Sequence, residues 1–260
     1  MRTTGIVAGV VLLFVAVLSV GMAQDEVATY VKGAMCIACH KGLNKELVER
    51  FQATKHYKVG QKDDNGEPPK LAEMKPAEIY RRSVGFNPED NSFVDPGVGC
   101  QSCHGAGSLH LKAKGDEEKR ATMKRPDKLD TPHKKLSVCG RCHGQYTIGD
   151  KPFAADYKFG DDLFAIEGFK LTEVTQPGPF QQLNEFMASK HGEKDVTCVT
   201  CHTAHETTEA KPQLRKPVPD LCLQCHAQEH KCTVAADKVK AGDTCATCHM
   251  AGGRHTFKAQ

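Results

Sequence analysis

Tryptophan is absent from the 260 residues, and 5 tyrosines with 11 phenylalanines bring the aromatic share to only 6%. Cores of this size are usually built round such side chains, so some other group must supply the apolar bulk. A large net charge is missing too. The 35 Lys and Arg against 32 Asp and Glu leave +3, which argues against nucleic-acid binding as the main task, because such domains are strongly and locally basic. Beyond residue 20 there is no long hydrophobic run. The one run, Ile6 to Val20, is about 15 residues, short of the ~20 that cross a bilayer core. Arg2 precedes it and Gly21-Met22-Ala23 follows, with small residues three and one before a cut at Gln24, the pattern of a secretory leader. No cysteine lies near that cut to carry a lipid. The expectation is a signal peptide over 1–23 and one exported domain over 24–260, placed in the periplasm or outside the cell.

What the chain has in excess is cysteine and histidine, 13 of each. Twelve of the cysteines fall into six C-x-x-C-H motifs. They are Cys36/Cys39/His40, Cys100/Cys103/His104, Cys139/Cys142/His143, Cys198/Cys201/His202, Cys222/Cys225/His226 and Cys245/Cys248/His249. This is the attachment signature of c-type haem. Two thiols add across the porphyrin vinyl groups, and the adjacent imidazole becomes the proximal iron ligand. A disulfide scaffold gives no reason for six adjacent histidines, and zinc ribbons do not need a histidine after every second cysteine. Six covalent haems are therefore expected, with the twelve cysteines as attachment points and His40, His104, His143, His202, His226 and His249 on the irons. Each macrocycle is a large apolar plate, so the haems themselves supply core that the chain lacks.

Seven histidines lie outside the motifs: His56, His110, His133, His191, His205, His230 and His255. Six irons closed on both faces need six distal ligands, so all seven are candidates with one to spare. His133 and His230 are the weakest of them. His205 follows His202 too closely to reach the same iron and is expected on a neighbouring haem. Methionine is the other common distal ligand, but Met35, Met74, Met123, Met187 and Met250 are less well placed. Two candidates sit in an internal repeat, Phe51-Gln-Ala-Thr-Lys-His56 and Phe186-Met-Ala-Ser-Lys-His191. Each follows a helical stretch (Asn44 to Phe51, Gln181 to Phe186) whose stripe of Leu47, Val48 and Phe51, or Leu183 and Phe186, is expected to lie on a porphyrin face.

Between the motifs, 62–69 reads as a charged loop. Pro76 to Val84 reads as a short helix stopped at Gly85. The mixed-charge run from Lys112 to Lys135 reads as a solvated helix-loop with Asp116 as N-cap. Tyr146 to Pro179, free of Cys and His, is the longest stretch able to pack by itself. Cys232 is an odd thiol, inert and buried in the plainest reading, and otherwise a free surface thiol or an intermolecular bridge. The fold class expected is a multihaem cytochrome c, mostly short α-helices and irregular loops round a haem chain, with little or no β-sheet.

The sequence resembles the exported multihaem c-type cytochromes, among them the tetrahaem carrier of ammonia oxidisers and the decahaem periplasmic subunits of outer-membrane electron conduits. The resemblance rests on Tyr30-Val-Lys-Gly-Ala-Met-Cys-Ile-Ala-Cys-His40 with Thr54-Lys-His56, and on Gly97-Val-Gly-Cys-Gln-Ser-Cys-His-Gly-Ala-Gly-Ser-Leu-His110. Tyr157-Lys-Phe-Gly-Asp-Asp-Leu163 and Ser189-Lys-His191 through Val196-Thr-Cys-Val-Thr-Cys-His-Thr-Ala-His205 extend it. It implies that His56, His110, His191 and His205 are distal ligands. Six motifs match neither the four-haem nor the ten-haem pattern, so no specific role carries over. The resulting expectation is an electron carrier rather than an enzyme. Its partners would be redox proteins: a quinol-linked cytochrome, a terminal reductase or an outer-membrane conduit, with the membrane reached only through them. The alternatives are an enzyme with one open iron acting on a small nitrogen or sulfur oxyanion, and a self-assembling subunit of an extracellular cytochrome filament.

Overall fold

The structure, a computed structural model, describes residues 26–61, 70–205, 213–226 and 238–258. The leader, the 62–69 loop, His230 and Cys232 lie outside them. Among the described residues no helix is long and apolar enough to cross a membrane.

Short helices dominate. In chain order they are α1 (Gly33–Leu43), α2 (Lys45–Ala53), α3 (Lys55–Lys58), α4 (Pro76–Arg82), α5 (Cys100–His104), α6 (Ser108–Lys112), α7 (Asp116–Thr122), α8 (Pro132–His143), α9 (Gln182–Met187), α10 (Cys198–Cys201), α11 (Asp220–His226) and α12 (Cys245–His249). Among the described residues the sheet consists of two antiparallel strand pairs, β1 (Ser83–Val84) with β2 (Asp95–Pro96) and β3 (Tyr146–Ile148) with β4 (Phe169–Leu171). The fold is the mostly helical one expected.

Local chemistry explains the breaks. Proline opens α4 and α8 at their first turn, where a missing N–H costs nothing. Thr131 caps α8 by accepting the Lys134 N–H at 3.2 Å. The helix read over 76–84 ends at Arg82, because Ser83 and Val84 turn extended and pair with Pro96 and Asp95. Gly85 then reverses the chain at φ +66°. In the charged run the cap of α7 is Gly115, with Asp116 already inside the first turn.

Among the described residues a hydrophobic cluster joins Leu136 of α8, Tyr146 of β3, Ala154, Leu163, and Leu183 and Phe186 of α9, while Leu71, Ile79, Tyr80 and others are buried outside it. The 146–179 stretch thus packs, but between α8 and α9 rather than by itself. Close approach is built in at Gly140 and Gly144 of the α8 end. A Cβ on Gly140 would lie 2.7 Å from Leu183 Cδ2. This corrects the expectation for Leu183 and Phe186, whose stripe is taken up by protein. On α2, Val48 and Phe51 are buried while Leu47 stays 40% exposed, so only part of that stripe is covered.

Candidate haem centres

Five of the six motifs form one-turn helices or helix ends, with His at or just past the last turn. The sixth, the first along the chain, lies within α1. In three motifs the second intervening residue caps its own helix. The hydroxyls of Ser102, Thr200 and Thr247 accept the backbone N–H of Gly99, Thr197 and Thr244 at 3.2, 3.0 and 3.0 Å. The other intervening residues also work. Buried Gln101 accepts from the N–H groups of Val31 and Gly107 at 3.0 and 2.9 Å and donates to the Val31 carbonyl at 2.6 Å, tying the N-terminal segment to the second motif. In the sequence alone these positions read as spacers. The signal available is chemical, since Ser, Thr, Gln and Arg are odd choices for an indifferent position.

The twelve motif cysteines are free thiols, none in a disulfide. Most of them meet across motifs. The Cys36 and Cys100 thiols share a hydrogen bond that holds Cys36 down to about 7 and pushes Cys100 up. Cys139 and Cys198 are paired in the same way, with Cys139 raised and Cys198 lowered. Cys222 is raised chiefly by burial and then by Cys245. Motifs one and two, three and four, and five and six therefore lie side by side.

Two of the attachment cysteines expected from the sequence, Cys39 and Cys248, are exceptions. The structure brings neither to a thiol of another motif among the described residues. Cys39 is exposed on α1, and Cys248 is only half-buried on α12. The reason is position. They are the second thiols of the first and last motifs, whose first thiols, Cys36 and Cys245, already face the neighbouring motif. The assignment of Cys39 and Cys248 therefore rests on the contiguous motif and gains nothing from the packing around them.

The decisive geometry is among the imidazoles. His40 faces His110 with ring centres 6.1 Å apart, His143 faces His56 at 5.9 Å, and His104 faces His205 at 5.9 Å. His226 faces His191 at 6.0 Å, and His202 faces His255 at 6.0 Å. Each pair joins one motif histidine to one from outside the motifs. A metal ion between two imidazole nitrogens, about 2 Å from each, sets ring centres roughly 6 Å apart. The residues present thus fit an iron held from two sides, and the free thiols fit covalent attachment beside it. Burial lowers the pKa of His56, His104, His191 and His255 and takes His143 to about 4, which favours the neutral imidazole that ligates metal.

The chain shares the fold and the C-x-x-C-H motifs of multihaem c-type cytochromes. A family model described as a doubled CXXCH motif matches residues 191–231. Among solved structures, the outer cell wall cytochrome OcwA superposes with a TM-score of 0.50 at 20% identity, over 74% of this chain and 57% of that one. The undecahaem S-layer cytochrome of Carboxydothermus ferrireducens gives 0.49 at 18%, over 90% and 52%. By sequence the chain is 25% identical to the dissimilatory sulfite reductase MccA of Wolinella succinogenes over 186 residues, 60% of this chain and 22% of the relative. It is 24% identical to the nitrite reductase subunit NrfA of Nitratidesulfovibrio vulgaris over 176 residues, 52% of this chain and 33% of the relative. The chain thus spans at most a third of the curated relatives it matches.

Two candidate histidines stand apart. Among the described residues His133 does not meet a motif histidine; its ring stacks on Phe164 at 4.5 Å and its Nδ1 lies 3.8 Å from Asp162. His249, the last motif histidine, faces no second histidine ring among the described residues. The surrounding bonds show how the outer histidines are aimed. In the repeat, Thr54 Oγ1 donates to the Phe51 carbonyl at 2.6 Å and accepts the Tyr57 N–H at 3.3 Å. Ser189 Oγ donates to the Phe186 carbonyl at 2.7 Å and accepts the His191 N–H at 3.2 Å. The same hydroxyl hinge, one residue before Lys-His, turns both chains towards their partners. His255 is fixed differently: the buried Glu185 carboxylate accepts its backbone N–H at 2.7 Å and Arg254 Nε at 2.7 Å.

Proposed function

We propose that this cytochrome carries electrons through six covalently attached haems, outside the cytoplasm, between redox partner proteins. The carrying observation is the set of five facing histidine pairs. His40 with His110, His104 with His205, His143 with His56, His202 with His255, and His226 with His191 would each hold one iron from both sides. His249 would hold the sixth with a ligand supplied outside the described residues, for which His230 is the candidate. When bound, haem supplies one-electron redox chemistry whose potential the protein tunes by ligand type, burial and hydrogen bonding.

What the chain does is hold, space and close. The side-by-side thiols of Cys36 with Cys100, Cys139 with Cys198 and Cys222 with Cys245 support an array that follows chain order from the first motif to the sixth. Cys103 feels Cys139, and Cys201 feels Cys225, which supports contact between those pairs as well. Cys39 and Cys248, with no thiol opposite, would then mark the two ends of the array. Histidine on both sides of an iron leaves no position for substrate, so this arrangement suits relay rather than turnover. The close spacing also lets the partners dock at different ends of one array.

A second reading is favoured by one observation. His249 meets no described histidine, so its iron is where an open face would be, and an enzyme acting on a small sulfur or nitrogen oxyanion would use that end. Low-temperature EPR of the oxidised protein, with intact mass for haem count, decides between them. Six haems, all low-spin, support the relay. One high-spin haem that is abolished by His249→Met but not by His133→Ala moves the enzyme to first place, and fewer than six haems overturns the assignment of six attachment sites.

A further inference from the structure

Arg141, the second intervening residue of the third motif, is part-buried, and its Nη2 donates to the Ser102 carbonyl at 3.0 Å. Its guanidinium sits over the ring of Tyr80 at 5.5 Å and that of Tyr157 at 5.7 Å. The groups acting most strongly on its charge are Cys142, Tyr80 and Tyr30, and it forms no ion pair with a described carboxylate. Arginine cannot shed its proton. A largely desolvated guanidinium gains from an opposite charge, so its position favours a negative group from outside the polypeptide.

The surroundings are shaped for one. A cavity of about 60 Å³ opens beside Arg141, lined also by Tyr30, Tyr80, Ser83, Ser102 and Tyr157. The Tyr80 and Tyr157 hydroxyls are buried with no partner in good hydrogen-bond geometry, and the side chains that act on the Tyr80 hydroxyl include Arg141 itself and Tyr146. Buried hydroxyls normally find a partner, and two left over beside one lone cation share an acceptor as their common need. Asp161, the carboxylate that acts on Tyr157, is already engaged by the Lys158 N–H at 2.9 Å. Arg81 nearby donates to the carbonyls of Cys142 and Gly144 at 3.1 and 3.0 Å.

We propose that Arg141, Tyr80 and Tyr157 form a buried binding site for one carboxylate or small oxyanion. Two sources offer that chemistry: a propionate of an attached haem, or a free anion. The propionate arm rests on the haem reading above, whereas the free-anion arm does not. The test uses the haem-loaded protein, with haem content by intact mass read first. Sulfite, nitrite and formate are each titrated by calorimetry, and the midpoint potentials of all haems are measured for wild type, Arg141→Gln, Arg141→Lys and Tyr80→Phe.

A free-anion site gives saturable one-to-one binding of at least one probe, weakened tenfold or more by Arg141→Gln and less by Tyr80→Phe. A propionate site gives no probe binding, but Arg141→Gln lowers one midpoint, which Arg141→Lys restores in part because the positive charge stabilising the reduced state returns. Should Arg141→Gln yield no holoprotein, the Tyr80→Phe, Tyr157→Phe double variant takes its place. No probe binding together with unchanged midpoints overturns the site. Six haems alongside that result would leave the electron-transfer reading standing, and a haem deficit in wild type would remove that reading while the calorimetry still judges the site.

Discussion

Single side chains in this protein hold large pieces of its geometry. Thr54 is wholly buried, and its hydroxyl serves a carbonyl and an N–H at once. Thr54→Val keeps the shape and removes both bonds, and the loss of such a helix cap costs about 1 kcal/mol. We expect His56 to be misdirected as well, seen as a new high-spin signal in EPR, with Ser189→Ala doing the same to His191. Glu185 offers a second case. Its side chain is 6% exposed and Arg254's 27%. Breaking a fully buried pair costs about 3–5 kcal/mol, so Glu185→Gln should cost less than that, about 2 kcal/mol in thermal unfolding of the holoprotein, because Arg254 can still reach water. The repeat was legible in the sequence as a pattern of letters, but the reason for Thr and Ser at its fourth place was not, because a hydrogen-bond hinge is a property of backbone direction.

At the level of elements, the connection between α3 and the second motif is a crossing of two bare backbones. A Cβ on Gly60 would lie 2.3 Å from Gly97 Cα, and Gly97 itself sits at φ +81°. Next to it the Val98 N–H reaches the carbonyl of His56 at 3.3 Å. Gly60→Ala has no side chain to push aside, only main chain, so we expect at least about 2 kcal/mol of destabilisation and a fall in the yield of haem-loaded protein. Gly42→Ala, with nothing within 4 Å of the added carbon, is the matched control. Helix positions and stops were legible along the chain because proline, glycine and threonine act locally. What covers Leu183 and Phe186 was not, since an apolar stripe is complete in the sequence whether protein or porphyrin meets it.

For the molecule as a whole, ring orientation sorts the five pairs. His104 with His205, His40 with His110 and His202 with His255 have interplanar angles of 5°, 17° and 30°, while His143 with His56 and His226 with His191 stand at 85° and 77°. Near-perpendicular imidazoles leave two iron d orbitals almost equal in energy and so enlarge g-anisotropy. EPR should therefore resolve two strongly anisotropic low-spin haems among less anisotropic ones, and His56→Met should remove one of the two. The six motifs were legible at once, because a covalent signature is contiguous. Which thiols face a neighbour and which, like Cys39 and Cys248, face none was not. Nor was the histidine pairing, because each partner comes from a distant segment and only the fold brings them together.

That distance has a consequence for how the molecule comes into being. The segments joined by facing histidines overlap: 40 to 110 interleaves with 56 to 143, that with 104 to 205, and 202 to 255 closes only near the end of the chain. No stretch between two motifs contains both histidines of every centre it begins. As it is made, the polypeptide would wait with half-finished centres until later residues arrive, and the centre begun at His202 would be completed last of the five, by His255. Shortened versions ending before residue 255 would hence mature with one centre short of a ligand, however well the rest had folded, and the order of completion would run with the order of the chain.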